Sequence, residues 1–200
     1  MKKEIDFEYL GTLQHAYHYA DDLQPLLEDI RSENHEVRNK AYYELFGNIY
    51  HQGSVYESTV YLFPFFIDMF LNNVMPDQEA QDDLLALIAS IAAGNAVFYT
   101  YPKFAVHTKR VPGESDEELQ QRKEQEITSS IRAEGSKIVP LLLPYLEHKE
   151  SGLRECIALM IPCYPEYFDT SIPLLENAFQ NEEDEDAKEI MQDVLEQIGR

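Results

Sequence analysis

Ser171-Ile172-Pro173-Leu174-Leu175 is the last of four stretches in which a proline sits among large apolar residues. The other three are Leu23-Gln24-Pro25-Leu26-Leu27, Leu62-Phe63-Pro64-Phe65-Phe66 and Ile138-Val139-Pro140-Leu141-Leu142. Their prolines lie 39, 76 and 33 residues apart, the middle gap being close to two repeats, as if one copy had been expanded. A second element follows at a steady offset. Val37-Arg38 with Ala41 and Leu45, Leu153-Arg154 with Ile157 and Ile161, and Ala187-Lys188 with Met191 and Leu195 each begin 12 to 14 residues after a proline. In each, an apolar residue precedes a base and apolar residues return four and eight positions on, which puts them on one face of a helix. Two unrelated elements in one phase predict an internal repeat of paired helices, and a repeat of this length decides the architecture.

Working outward, Ala187, Ile190, Met191, Val194, Leu195 and Ile198 form a complete amphipathic stripe. Leu84, Leu85, Leu87, Ile88 and Ile91 form another, closed by Gly94-Asn95 as a helix stop. From Val55 to Leu71 only Glu57 and Asp68 are charged, so this helix is expected between neighbours on all sides. Ser115-Asp116-Glu117-Glu118 opens a capped, charged helix expected to reach Ala133, before Gly135. His51-Gln52-Gly53 is expected at a helix end, with His51 complementing the terminal carbonyls and Gly53 taking the left-handed turn. No run alternates with period two for long enough to predict a sheet.

The paired-helix phase, the proline early in one helix and the apolar-base step opening the next resemble HEAT repeats. More narrowly, Tyr50-His51-Gln52-Gly53-Ser54-Val55-Tyr56-Glu57-Ser58-Thr59, running into Phe63-Pro64-Phe65-Phe66, resembles a group of bacterial HEAT-repeat proteins of undefined function. The resemblance covers roughly Asp21 to the C-terminus. It implies an all-α fold, a short right-handed α-solenoid of antiparallel helix pairs forming one domain over residues 1–200. Proline-bearing helices would line one face and their partners the other, with Arg38 and Arg154 pairing with carboxylates between repeats. The stretch from Asn95 to Arg132 departs from that pattern and implies an irregular insertion near residues 95–115.

Sixteen Lys plus Arg against 37 Asp plus Glu give a net charge of -21. Nucleic-acid binders gain affinity by neutralising phosphates with bases, so a chain this acidic is expected to repel DNA, RNA and anionic membranes, and to favour a basic protein partner. Hydrophobic residues at 44% leave enough to build a core. The start at Met1-Lys2-Lys3 has no apolar stretch behind it, and the longest apolar run, Thr59 to Ile67, is short of the ~20 residues a membrane helix needs. Cys156 and Cys163 stand seven apart, too far along one helix for a disulfide, and are expected as buried thiols. The expected location is cytoplasmic.

Candidate chemistry is sparse. His15 and His18, with Asp21 and Asp22 beyond, are the residue types of a metal site on a helix face, but the usual structural zinc set is tighter and the carboxylates are expected to cap the next helix instead. His35-Glu36 is a single His-Glu step, too few for a HEAT-like di-iron centre. Glycines are scattered, which excludes a phosphate loop, and neither cysteine has an activating neighbour. The absence of Trp together with the charge argues against a HEAT-like DNA glycosylase. The insertion gathers Phe98, Tyr99, Tyr101 and Phe104 beside Lys103, Lys109 and Arg110, suiting either recognition or a cap folded back on the stack. Glu182-Glu183-Asp184-Glu185-Asp186 precedes the last helix as a capping run, or as part of an imitation of a phosphate backbone.

These readings converge on a non-enzymatic binding protein or scaffold with no cofactor, no metal and no catalytic residue. Its partner would be a basic protein, as for an immunity or antitoxin-like protein. The expected contact residues are Tyr56, Glu57, Tyr61 and Asp68 on the proline-bearing face, with Tyr99, Tyr101 and Phe104 as an aromatic clamp. The alternatives are a metal-dependent or small-molecule enzyme using His15, His18 or His51, and a structural subunit of a larger assembly. The oligomeric state stays open.

Overall fold

The computed structural model describes residues 4–101 and 103–199; the charged start at Met1 to Lys3 lies outside them. The described chain is mostly helical, as expected. After a single turn α1 (Phe7–Leu10), it runs through α2 (Leu23–Asp29), α3 (His35–Ile49), β1 (Tyr50–His51), β2 (Ser54–Val55), α4 (Glu57–Leu71), α5 (Gln78–Ala93) and β3 (Asn95–Ala96). Then follow α6 (Asp116–Leu142), α7 (Ser151–Met160), α8 (Phe168–Asn181) and α9 (Glu185–Gln197). No helix among the described residues is long and apolar enough to cross a membrane.

Consecutive helices pack as pairs, α2 on α3, α4 on α5 and α8 on α9, while the end of α6 passes into a 3-10 turn (Leu143–Glu147) that packs on α7. The second members also meet one another, α5 against α7 and α7 against α9. The four prolines all fall in the first members, α2, α4, α6 and α8, but only Pro25 lies near a helix start. Pro64, Pro140 and Pro173 lie well inside their helices, correcting the expectation of an early proline. One buried apolar cluster extends from Leu10 to Leu195.

The apolar-base step has a structural counterpart. Arg38, Arg154 and Lys188 are each the fourth residue of their helix, α3, α7 and α9. Each donates to the carbonyl six residues back: Arg38 to Ser32 at 2.9 Å, Arg154 to His148 at 2.7 Å and Lys188 to Glu182 at 3.1 Å. Those carbonyls belong to the link between paired helices, where the turn leaves them without a backbone partner. The two arginines also reach the N-terminal approach of the next helix in the row. Arg38 pairs with Asp77 at 2.8 Å and Arg154 with Glu182 at 2.6 Å. At the fourth position of α5 stands Gln81, whose amide donates to Phe70 O at 3.2 Å. Ala80, Leu84 and Ile88 repeat the apolar spacing there, so α5 carries a copy of the element in which glutamine replaces the base.

Among the described residues, the expanded middle gap holds no helix pair beyond α4 and α5. Its extra length is taken up by β3, the irregular stretch that follows and the first half of α6, which continues past Ala133 and through Gly135 to Leu142. Gly135 does not stop this helix because its missing side chain makes room for Tyr164: a Cβ there would stand 1.9 Å from the Tyr164 hydroxyl, which donates to Ala92 O. Gly94 has a similar role, since a Cβ would meet Val55 Cγ1 at 2.4 Å.

A miniature sheet, unforeseen in the sequence, lies at the ends of α3 and α5. β1 and β2 pair antiparallel, Tyr50 with Val55 and His51 with Ser54, and β2 pairs in parallel with β3. Gln52 and Gly53 both have positive φ, 50° and 83°, the turn geometry of a two-residue hairpin. His51 is therefore a strand residue rather than a cap on the last carbonyls of α3. Cys156 and Cys163 are unpaired thiols, both pushed up in pKa by burial.

Candidate functional site

α3 leans on α2, whereas α5 leans on α4 and α7, and a groove of about 820 Å³ opens where α3 and α5 face each other. Its floor follows from helical spacing. Tyr42, Phe46 and Tyr50 are four residues apart, so they line one side of α3 and its exit into β1, with ring centroids 6.2 Å and 5.1 Å apart, the first pair tilted and the second edge to face. Tyr43 stands at the rim, 82% exposed, and Tyr17 reaches in from the N-terminal turn. Glu44 comes from α3, and Glu79 and Asp83 from α5. Among the described residues, no lysine or arginine lines the groove.

The electrostatics follow from this crowding. Asp83 is pushed above the usual carboxylate range by burial first and then by Glu79 one turn away, with Arg38 opposing. Burial, with Asp83 nearby, holds the Tyr42 phenol well above its ordinary value. A cation entering the groove would meet aromatic faces and several carboxylates, the two features that recognise a guanidinium or ammonium group.

Tyr17 joins the groove to a second cluster. Its hydroxyl lies 3.1 Å from His51 Nδ1, and its backbone N–H donates to His15 Nδ1 at 3.2 Å. Residues 15–18 form a tight turn closed by His15 N–H to His18 O at 2.9 Å, not the helix face expected for His15 and His18. Beyond the turn Asp22 leaves α2 uncapped and lies between the two rings, Oδ1 3.2 Å from His15 Nε2 and Oδ2 3.4 Å from His18 Nε2. His15 is fully buried, which lowers its pKa; Asp22 opposes that shift.

The residues expected to contact a partner are placed otherwise. Tyr56 is 1% exposed, its N–H bonded to Thr59 Oγ1, and its phenol is pushed up by burial and by Tyr99. Phe104 is 8% exposed. Both of these expected contact residues are therefore buried side chains rather than exposed ones. Glu57 pairs with Lys123 at 3.1 Å, Tyr61 accepts the Asp6 N–H at 2.9 Å, and Asp68 accepts from Asn72. Tyr99 stacks between Tyr56 and Tyr101, and of the seven only Tyr101 is largely exposed, at 65%.

The insertion folds back on the N-terminal turn. The buried Gln14 amide donates to Tyr99 O at 3.0 Å and Phe104 O at 2.6 Å and accepts the Tyr99 N–H at 3.0 Å. At the far end of the chain, Glu182 is buried against Arg154, and Asp184 caps α9 by accepting the Ala187 N–H. The acidic run is thus partly committed to structure.

The groove was missed in the sequence although one signal was present. Tyr42, Phe46 and Tyr50 repeat at four-residue spacing beside the Ala41 and Leu45 stripe, which widens the apolar face of α3 beyond what its pairing with α2 needs. Comparison with protein-family models, curated proteins and solved structures finds no match for this chain.

Proposed function

We propose that this chain is a short right-handed solenoid of HEAT-like helix pairs acting as a non-enzymatic binding module, and that it holds a basic segment of another protein in the groove between α3 and α5. The observation that carries the reading is the groove lining: the rings of Tyr17, Tyr42, Tyr43, Phe46 and Tyr50, with Glu44, Glu79, Asp83 and His51, and no lysine or arginine among the described residues. An arginine or lysine side chain laid on these rings gains cation–π contact, and its charge offsets the burial and the Glu79 repulsion that together raise Asp83. The net charge of -21 steers basic partners toward any face of the molecule, while the groove supplies the local fit. Supporting the repeat reading are the thrice-repeated bond from a fourth-position base to the carbonyl six back and the row formed by α5, α7 and α9.

An immunity or antitoxin-like role in the cytoplasm suits such a module, because neutralising a basic toxin calls for an acidic surface with a shaped anchor point. A cytoplasmic setting also suits two unpaired thiols. The test compares wild type with a Tyr43→Ala/Glu79→Gln variant as bait in a native lysate at low salt. Wild type should retain a basic protein that the variant loses by about tenfold or more, the scale of a lost aromatic anchor and charge pair. Equal recovery by both baits, or no retained protein of basic character, overturns the proposal.

A further inference from the structure

We propose that the N-terminal turn binds a divalent cation of the zinc class, with His18 Nε2 and Asp22 Oδ2 as ligands and His15 as the residue that orients Asp22. The ligand atoms of His15, His18 and Asp22 all lie within 4.8 Å of one another. The orientation of each ring carries the inference. His18 Nδ1 lies 2.6 Å from Tyr19 O, a contact that requires a proton on Nδ1 because a carbonyl can only accept. In the neutral ring this leaves the Nε2 lone pair directed at Asp22 Oδ2, 3.4 Å away. Two acceptors held face to face repel unless a proton or a metal ion sits between them. Their separation also suits one metal, since tetrahedral zinc with bonds near 2.0 to 2.1 Å has ligands about 3.3 Å apart.

A ligating histidine whose second ring nitrogen donates to a backbone carbonyl is the usual outer-shell arrangement at such metals, and His18 has it before any metal arrives. His15 has the opposite polarity. The Tyr17 N–H occupies its Nδ1, so the ring proton is on Nε2, facing Asp22 Oδ1 at 3.2 Å. It therefore holds the carboxylate from behind and leaves Oδ2 for the ion. The scaffold is stiff where this matters: the Ala16 N–H donates to Asn48 O, and the Ser58 N–H to Gln14 O, both at 3.0 Å. Imidazole and carboxylate together select Zn2+, Ni2+ or Co2+ over the oxygen-seeking Mg2+ and Ca2+. Water completes the coordination on the exposed side of His18.

Titration calorimetry of chelator-treated protein with zinc chloride and separately with nickel chloride, at pH 7.5 and physiological salt, tests this. One site of micromolar affinity is expected. His18→Ala and Asp22→Asn should each abolish it, and His15→Ala should weaken it by about tenfold or more, the usual effect of an outer-shell partner. His35→Ala and His148→Ala, which alter the imidazole–carboxylate contacts with Glu79 and Asp82, should leave it unchanged. A parallel readout is the 15N shift of the ring nitrogens, in which His18 Nε2 should move on adding zinc. No stoichiometric binding at pH 7.5, binding that survives His18→Ala, or an unmoved His18 Nε2 overturns the proposal.

Discussion

The Arg154 guanidinium donates to Glu182 and to the carbonyls of His148 and Lys149, and Glu182 in turn accepts the N–H groups of Glu183 and Asp184. Replacing Arg154 with methionine keeps the stem but leaves a buried carboxylate without its cation. The expected cost is about 3 kcal/mol, read as a lower urea midpoint with unchanged slope. The sign of the pH dependence follows. The bond to Arg154 holds the Glu182 carboxyl below its ordinary value, so its stabilisation is present above the usual carboxylate range and is lost as pH falls through the lowered value. The variant should show a shallower acid limb than wild type; parallel limbs would show that the pair contributes nothing. Gly135 is decided by steric fit rather than charge. Gly135→Ala gains helix propensity of about 1 kcal/mol but drives a Cβ into the Tyr164 hydroxyl, and overpacking of this kind costs about 1 to 3 kcal/mol. Because the obstacle is a ring bonded to Ala92, the net effect should be a lower melting temperature, and a raised one would mean that Tyr164 moves aside without cost.

Segment 97–115 rests on the N-terminal turn chiefly through Gln14, together with the bond from the Val106 N–H to the Tyr19 hydroxyl. Gln14→Ala removes three bonds at once without altering any helix. Trypsin should then cut after Lys103, Lys109 or Arg110 several times faster than in wild type, while circular dichroism stays the same; equal cutting rates would show that the aromatic packing alone holds the segment. Legibility in the sequence differed between elements for physical reasons. The paired helices were readable because Arg38, Arg154 and Lys188 mark equivalent helix starts. The copy at Gln81 escaped because no base stands there, and its amide donates to Phe70 O, eleven residues back rather than six. The strands escaped because two residues are too few to carry a period of two. Gly135 misled because a glycine in a helix reads as a stop, whereas here it answers to a ring that is distant in sequence.

Across the whole molecule, 37 acids against 16 bases leave most carboxylates to repel one another at neutral pH. Burial and neighbouring acids raise Asp83 and Glu155 in the folded state. A carboxyl raised on folding destabilises above its folded pKa and is relieved as pH falls through it. Lowered carboxyls act the opposite way, Glu182 among them and Glu114, which the Arg122 bond pulls down to about 2. Stability should therefore fall in acid as the lowered carboxyls take up protons, and at neutral pH added salt should raise it by screening the repulsion among the acids. Urea midpoints at pH 7.5 with and without 0.5 M sodium chloride test the second part, and a midpoint that salt leaves unchanged or lowers would contradict it. The groove between α3 and α5 belongs to this scale as well. Its walls come from residue 17, residues 39–52, and residues 79 and 83, and nothing local announces that α3 and α5 stand apart.

The same two helices are also braced. At their starts Arg38 ties α3 to Asp77, the residue capping α5, and at their ends β2 is stitched to both β1 and β3. The space between them is thus a window framed at top and bottom before anything enters it. A guest would not have to prise the helices apart, so little ordering entropy would be spent on the host. Loosening either crosspiece should slow capture or weaken retention even though no contact with the guest has been touched.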